Sequence, residues 1–224
     1  MRTTIIKTVI PVCVALLAAA CSSESPLPKQ SAAAGQAKME PSPTFANTER
    51  FVQTGVDLKK YNAFIIDPVD IYTGPDAQFG DVSPDDQKAI ADFTHKEFVR
   101  VLGKGYKIVH APGPHVMRIH LTLAGIEKTT PALATVTHVL PAGIVMNSVK
   151  SASGQGGSFM GSVVLAGDFY DSTTNQLVAS MVTRQGPNAM DLTTVVSELD
   201  AAKAGVTQSA ENLLAAVNKV HGKK

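Results

Sequence analysis

Val116-Met-Arg-Ile-His-Leu-Thr-Leu-Ala-Gly-Ile126 carries the cleanest alternation in the chain. Met117, Ile119, Leu121 and Leu123 fall on one side of an extended backbone, and Arg118, His120 and Thr122 on the other. That period of two is the mark of a half-buried strand. Just upstream, Tyr106 to His110 reads as a short strand closed by the turn Ala111-Pro-Gly-Pro114. Before it, Ser83-Pro-Asp-Asp86 opens a helix: Ser83 suits the N-cap, Pro84 the first helical position, and the two Asp residues the positive end of the dipole. Ile90, Phe93, Phe98, Val101 and Leu102 recur at helical spacing until Gly103 and Gly105 stop it. A strand is expected over Ala63 to Ile66.

Downstream, Met160 to Tyr170 and Leu177 to Thr183 form a hairpin across Asp171-Ser-Thr-Thr-Asn175. A last helix is expected from Thr194 to Val220, its apolar stripe running through Leu199, Ala202, Val206, Ala210, Leu213, Val217 and Val220. Gly205 in its middle costs about 1 kcal/mol relative to Ala. The order β-α-β-β-insertion-β-β-α has two helices for about five strands. It predicts an α/β (α+β) domain of two layers, a mixed sheet with both helices on one face. The other face is then solvated or covered by a partner.

The 224 residues carry a net charge of +1 with 5% aromatics and no Trp, which gives no footing for a nucleic-acid partner. Residues 1–20 form a targeting segment: Arg2 and Lys7 are basic, Thr8 to Leu17 is apolar, and Ala18-Ala-Ala20 is a small-residue cleavage zone. The apolar run is too short to span a bilayer, which takes about 20 residues. Leu16-Leu-Ala-Ala-Ala-Cys21 resembles a lipobox, the processing site of bacterial lipoproteins, with Ala18 where Leu is commoner. The resemblance implies that Cys21 becomes the lipid-bearing N-terminus, with acyl chains such as palmitate holding the protein to a membrane. Ser22 in place of Asp implies sorting to the outer membrane, with the domain facing the periplasm. Cys13 leaves with the signal peptide, so the mature domain has no thiol for a disulfide, a nucleophile or a metal.

Residues 21–44 are rich in Ser, Pro, Ala, Gly and Gln and read as a flexible tether with a reach of roughly 25 Å. Residues 45–224 then make one periplasmic domain, interrupted by an apolar insertion at about 129–156. Thr129 to Val149 contains no Asp, Glu, Lys or Arg. Three uses stay open for it. It folds over the domain's own open sheet face, or it meets an envelope protein through Leu133, Val136, Leu140, Ile144, Val145 and Met146. Otherwise it enters a membrane as paired strands, which demands a homo-oligomeric ring because a lone hairpin has unpaired edges in hydrocarbon.

Val99-Arg-Val-Leu-Gly103, Tyr106-Lys-Ile-Val109, Ala111-Pro-Gly-Pro-His-Val-Met-Arg-Ile119, Ser158-Phe-Met-Gly161 and Gly167-Asp-Phe-Tyr-Asp-Ser-Thr173 resemble a family of proteobacterial lipoproteins known as domain of unknown function 3313. The match covers most of the chain from about residue 45. It implies an outer-membrane lipoprotein and brings no catalytic residues.

Candidate chemistry is sparse. His110, His115 and His120 are evenly spaced and His95 lies on the first helix, but no spacing typical of a zinc site occurs, so no metal and no other cofactor is expected. Asp168 and Asp171, three apart on a strand, point to opposite faces and make a poor acid–base pair. Gly154-Gln-Gly-Gly-Ser-Phe-Met-Gly161 matches neither a nucleophile elbow nor a P-loop. The leading expectation is therefore a non-enzymatic interaction or scaffolding module in the envelope. The alternative is a small-ligand or glycan-binding lipoprotein with a cleft beside Arg118 and His120.

Overall fold

The computed structural model describes residues 25–35, 38–128, 161–187, 197 and 199–223. Its strands are β1 (Glu40–Pro41), β2 (Thr48–Val52), β3 (Ala63–Ile66), β4 (Asp70–Ile71), β5 (Lys107–Ile108), β6 (Val116–Glu127), β7 (Ser162–Asp171) and β8 (Leu177–Gln185). Helix α1 is Pro84–Leu102 and α2 is Asp200–Val220. All eight strands form one sheet in the order β1-β2-β8-β7-β6-β3-β5, with β4 also on β6. It is a mixed α+β fold, with three more strands than the sequence suggests. β3 and β4 run parallel to β6, one after the other, and the rest of the path from β6 to β1 is antiparallel.

β6 is the axis of the sheet. Met117, Ile119, Leu121 and Leu123 face the two helices and join Phe64, Ile90, Phe98, Leu165 and Val206 in the main core. A bulge between Leu123 and Gly125 then shifts the register. The extra residue flips the alternation, so Ile126 returns to the helix face beside Val163. α1 begins as read: the Ser83 side chain accepts the Asp86 amide, and Pro84 opens the first turn. α2 is described from Asp200, and Ala202, Val206, Ala210 and Leu213 line its buried face.

Part of the opposite sheet face is covered by the chain itself. Leu27, Ala32, Ala34 and Met39 pack on Ala124, Val164, Ala166 and Val182 in a second core. The Ser25 carbonyl accepts Arg184 Nη1 at 2.7 Å, and Lys29 pairs with Glu49 at 2.6 Å. Ala33 N–H donates to both oxygens of Asp168 at 3.0 Å. This corrects the expected tether: from Ser25 the segment is a strap on the sheet, and its small side chains fit over equally small ones on β6 and β7. The apolar insertion and its contact residues Leu133, Val136, Leu140, Ile144, Val145 and Met146 lie outside the described residues.

Asp171 closes β7 on the helix side. Its carboxylate accepts Lys60 Nζ at 3.1 Å, Tyr61 Oη at 2.9 Å, and the amides of Thr173 and Thr174 at 3.1 Å. The Lys60 ammonium and these donors hold its carboxyl well below the usual carboxylate range. A depressed folded value stabilises the fold above the unfolded pKa of about 3.9 and is lost as pH falls through the folded value. The expected outcome is that wild type loses stability relative to Asp171→Asn as pH drops below about 4, measured by denaturant titration across acid pH.

Candidate functional site

The helix layer is narrower than the sheet. Two helices packed about 8–10 Å apart cover roughly four strands spaced about 4.8 Å. The path holds seven strands, and α1 sits over β3 to β6 while α2 sits over β7 and β8. The β2 edge therefore projects beyond α2. Between them lies a cleft of about 580 Å³.

The cleft's floor is Met117, Ile119, Phe169 and Met181, and its roof is Leu213, Ala216, Val217 and Val220 on the last turns of α2. Residues 42–45 form one lip, with Phe45 turned to the cavity wall. Pairing of β2 with β8 sets Thr48 opposite Thr183, Arg50 opposite Met181 and Val52 opposite Ala179, so these three β2 residues face the cleft side. Val52 is 40% exposed, an unusual position for a large aliphatic side chain. Arg50 and Lys219 are both exposed lining residues, one on β2 and one on α2. Among the described residues no Asp or Glu lines the cleft.

The residues singled out from sequence lie elsewhere. Arg118 and His120 do share a face, but it is the strap side of β6. Arg118 Nε donates to Asp67 Oδ2 at 2.7 Å. His120 Nδ1 lies 3.6 Å from the same oxygen, and its Nε2 lies 3.3 Å from Asp70 Oδ2. Both side chains thus sit beside the carboxylates of Asp67 and Asp70, and the cleft is on the other side of the sheet. Asp168 faces the strap and Asp171 faces Lys60 and Tyr61, so the two carboxylates do not meet. His95 Nε2 lies 3.3 Å from the Ile66 carbonyl oxygen. Among the described residues no three His, Cys, Asp or Glu side chains are grouped to hold a metal ion. Ser158 lies outside them.

Sequence reading missed the cleft, although one signal was present. The apolar stripe of α2 continues through Val217 and Val220, beyond the stretch that α1 and β7 bury. A stripe longer than its partner surface leaves an apolar end to be filled.

A family model described as "Protein of unknown function (DUF3313)" matches residues 29–213. That match begins inside the strap. No curated protein matches the chain. Among solved structures, a PelC dodecamer from Paraburkholderia phytofirmans is similar at 7% identity, covering 74% of this chain and 97% of that one, with a TM-score of 0.40. Protein XCC0632 from Xanthomonas campestris, of family DUF330, is similar at 11% identity, covering 83% and 93%, with a TM-score of 0.39. No helix among the described residues is long and apolar enough to cross a membrane.

Proposed function

This chain belongs to the DUF3313 family of unknown function, and from that premise we propose that it is a lipid-anchored, non-enzymatic module of the cell envelope that holds an apolar ligand beneath α2. The observation that carries the reading is the cleft of about 580 Å³, walled mainly by apolar side chains. Its size falls in the range of about 300–1,000 Å³ typical of small-molecule sites. Of the two roles expected from sequence, ligand binding is the one this cavity favours. The reading is non-enzymatic because the polar side chains lining the cleft are mainly hydroxyls, with Asn212, Arg50 and Lys219, and no His, Asp or Glu among the described lining residues pairs with them for acid–base work.

The anchor is Cys21, and the strap changes what it does. Cys21 stands four residues before Ser25, a span of at most about 14 Å of extended chain. A lipid there seats the domain against the bilayer instead of letting it drift on a long leash. In cells, Cys21→Ala is expected to block processing and to remove the mature protein from washed membranes. Normal processing with full membrane retention would sink the anchor.

The cleft has its own test. Washed membranes carrying the full-length protein are photolysed with a neutral long-chain diazirine alcohol, and cross-linked peptides are mapped by mass spectrometry. Labels are expected within residues 42–52 and 209–220, and to be lost when Ala216→Trp or Val52→Trp fills the cavity. Diffuse labelling that neither variant alters rules out the binding site.

A further inference from the structure

We propose that the ligand of the α2 cleft is a single-chain amphiphile with an anionic head, a free fatty acid; this rests on the binding reading above. The interior asks for nothing polar. The hydroxyls of Thr48 and Thr183 bond each other at 2.8 Å, and Ser209 Oγ donates to the Gly205 carbonyl at 2.8 Å. Asn212 Oδ1 accepts Gln208 Nε2 at 2.9 Å. With these oxygens already engaged within the wall, few partners are left for the many hydroxyls of a sugar, and a glycan placed there would leave most of its own groups unpaired. A hydrocarbon chain meets Ile119, Phe169, Met181, Leu213 and Val217 without that penalty.

The charge sits where the head of such a ligand belongs. Arg50 and Lys219 come from facing walls, are exposed, and line a cavity with no carboxylate among the described residues. Several other cations of the domain are paired, Lys29 with Glu49, Lys60 with Asp171, Lys88 with Asp92, Arg100 with Glu97 and Arg118 with Asp67, and none of these lines the cleft. Among the described residues Arg50 and Lys219 form no such ion pair. An incoming carboxylate therefore gains two cations and breaks no internal bridge. The protein's own lipid is a poor candidate, because the chain reaches Ser25 on the opposite face of the sheet, at Arg184.

The experiment compares two photoprobes of equal chain length, one ending in a carboxylate and one in an alcohol, on the full-length protein in washed membranes. The carboxylate probe is expected to label the cleft about fivefold more strongly, the size of effect two exposed ion pairs supply. The double variant Arg50→Glu, Lys219→Glu is expected to abolish that preference while the alcohol still labels. Both positions are exposed, and circular dichroism of the variant confirms the fold. Equal labelling by the two probes in wild type, or an unchanged preference in the double variant, overturns the anionic ligand and leaves the binding site standing. No labelling of the cleft by either probe overturns the binding site itself. Peptide cross-links from another protein mapped into the cleft would assign it to a protein partner and overturn the lipid.

Discussion

Gly205→Ala is expected to destabilise the domain by about 2–3 kcal/mol, although helix propensity alone predicts a gain of about 1 kcal/mol. Gly205 lies on the buried face of α2, where Ala201, Ala202, Val206, Ser209 and Ala210 bring the helix down onto the sheet. A Cβ at this position would run into the carbonyl oxygen of Gln185, would sit 2.9 Å from its carbonyl carbon, and would stand 3.0 Å from Val163 Cγ1. The obstacle is backbone at the end of β8, which cannot swing aside as a side chain can. The helix must then lift, and its contacts with β7 and β8 loosen along with the cleft roof. Thermal unfolding should show a fall of roughly 5–10 °C, given about 2–4 °C per kcal/mol in a domain of this size. A melting temperature that stays level or rises would mean that α2 does not approach β8 this closely.

Asp168→Ala should cost a similar amount, about 2–3 kcal/mol, because it strands two donors in a buried place. Asp168 is only 5% exposed. Ser180 Oγ donates to it at 2.6 Å, and the Ala33 amide bridges both its oxygens. Loss of the acceptor should also release the strap, seen as rapid proteolysis within residues 25–41 while the rest of the domain resists. Burial pushes the carboxyl of Asp168 above the usual carboxylate range, opposed by the hydrogen bonds from Ser180 and Ala33. The folded state thus holds this proton more tightly than the unfolded chain. Its stabilisation is full below the unfolded pKa of about 3.9 and is lost as pH rises through the raised folded value. Asp168→Asn keeps one acceptor and cannot ionise, so it should cost less than Asp168→Ala at neutral pH. Wild type should gain on Asp168→Asn as pH is lowered toward about 4, the reverse of the Asp171 profile. Equal stability of the Ala and Asn variants, with the strap protected in both, would remove Asp168 as its clasp.

What was legible in the chain tracks the length of each pattern. β6, β7, α1 and α2 each repeat an apolar spacing often enough to be read without context, and β3 is marked by β-branched and aromatic residues before Pro68. β1 and β4 are two residues long and have no period to detect. β2 reads Thr-Glu-Arg-Phe-Val, and the two charges at its centre break the apolar alternation that would mark a strand. The strap failed for a different reason. Its composition predicts no core of its own, and that is true; the small residues Ala32 and Ala34 become useful only above Ala124 and Ala166, a match made by long-range pairing.

The same divide runs through the site. Arg118 and His120 were correctly placed on one strand face, but nothing nearby in sequence announces that Asp67 and Asp70 will reach them. That depends on β3 and β4 lying parallel to β6. The cleft is more distant still from any local signal, since it follows from two helices being too few for the sheet they cover.

The two borders of that sheet have a bearing on how the protein behaves in a crowd. One ends in Lys107–Ile108 and the other in Glu40–Pro41, each only two residues long and the second bearing a proline that cannot donate to a ladder. Among the described residues a visiting strand finds only these two-residue borders to zip onto, so growth into fibrils or sheet-to-sheet stacks is discouraged at both margins. Copies lying side by side can therefore stay individually folded at these two margins, and an assembly made through them would have to be built from side chains.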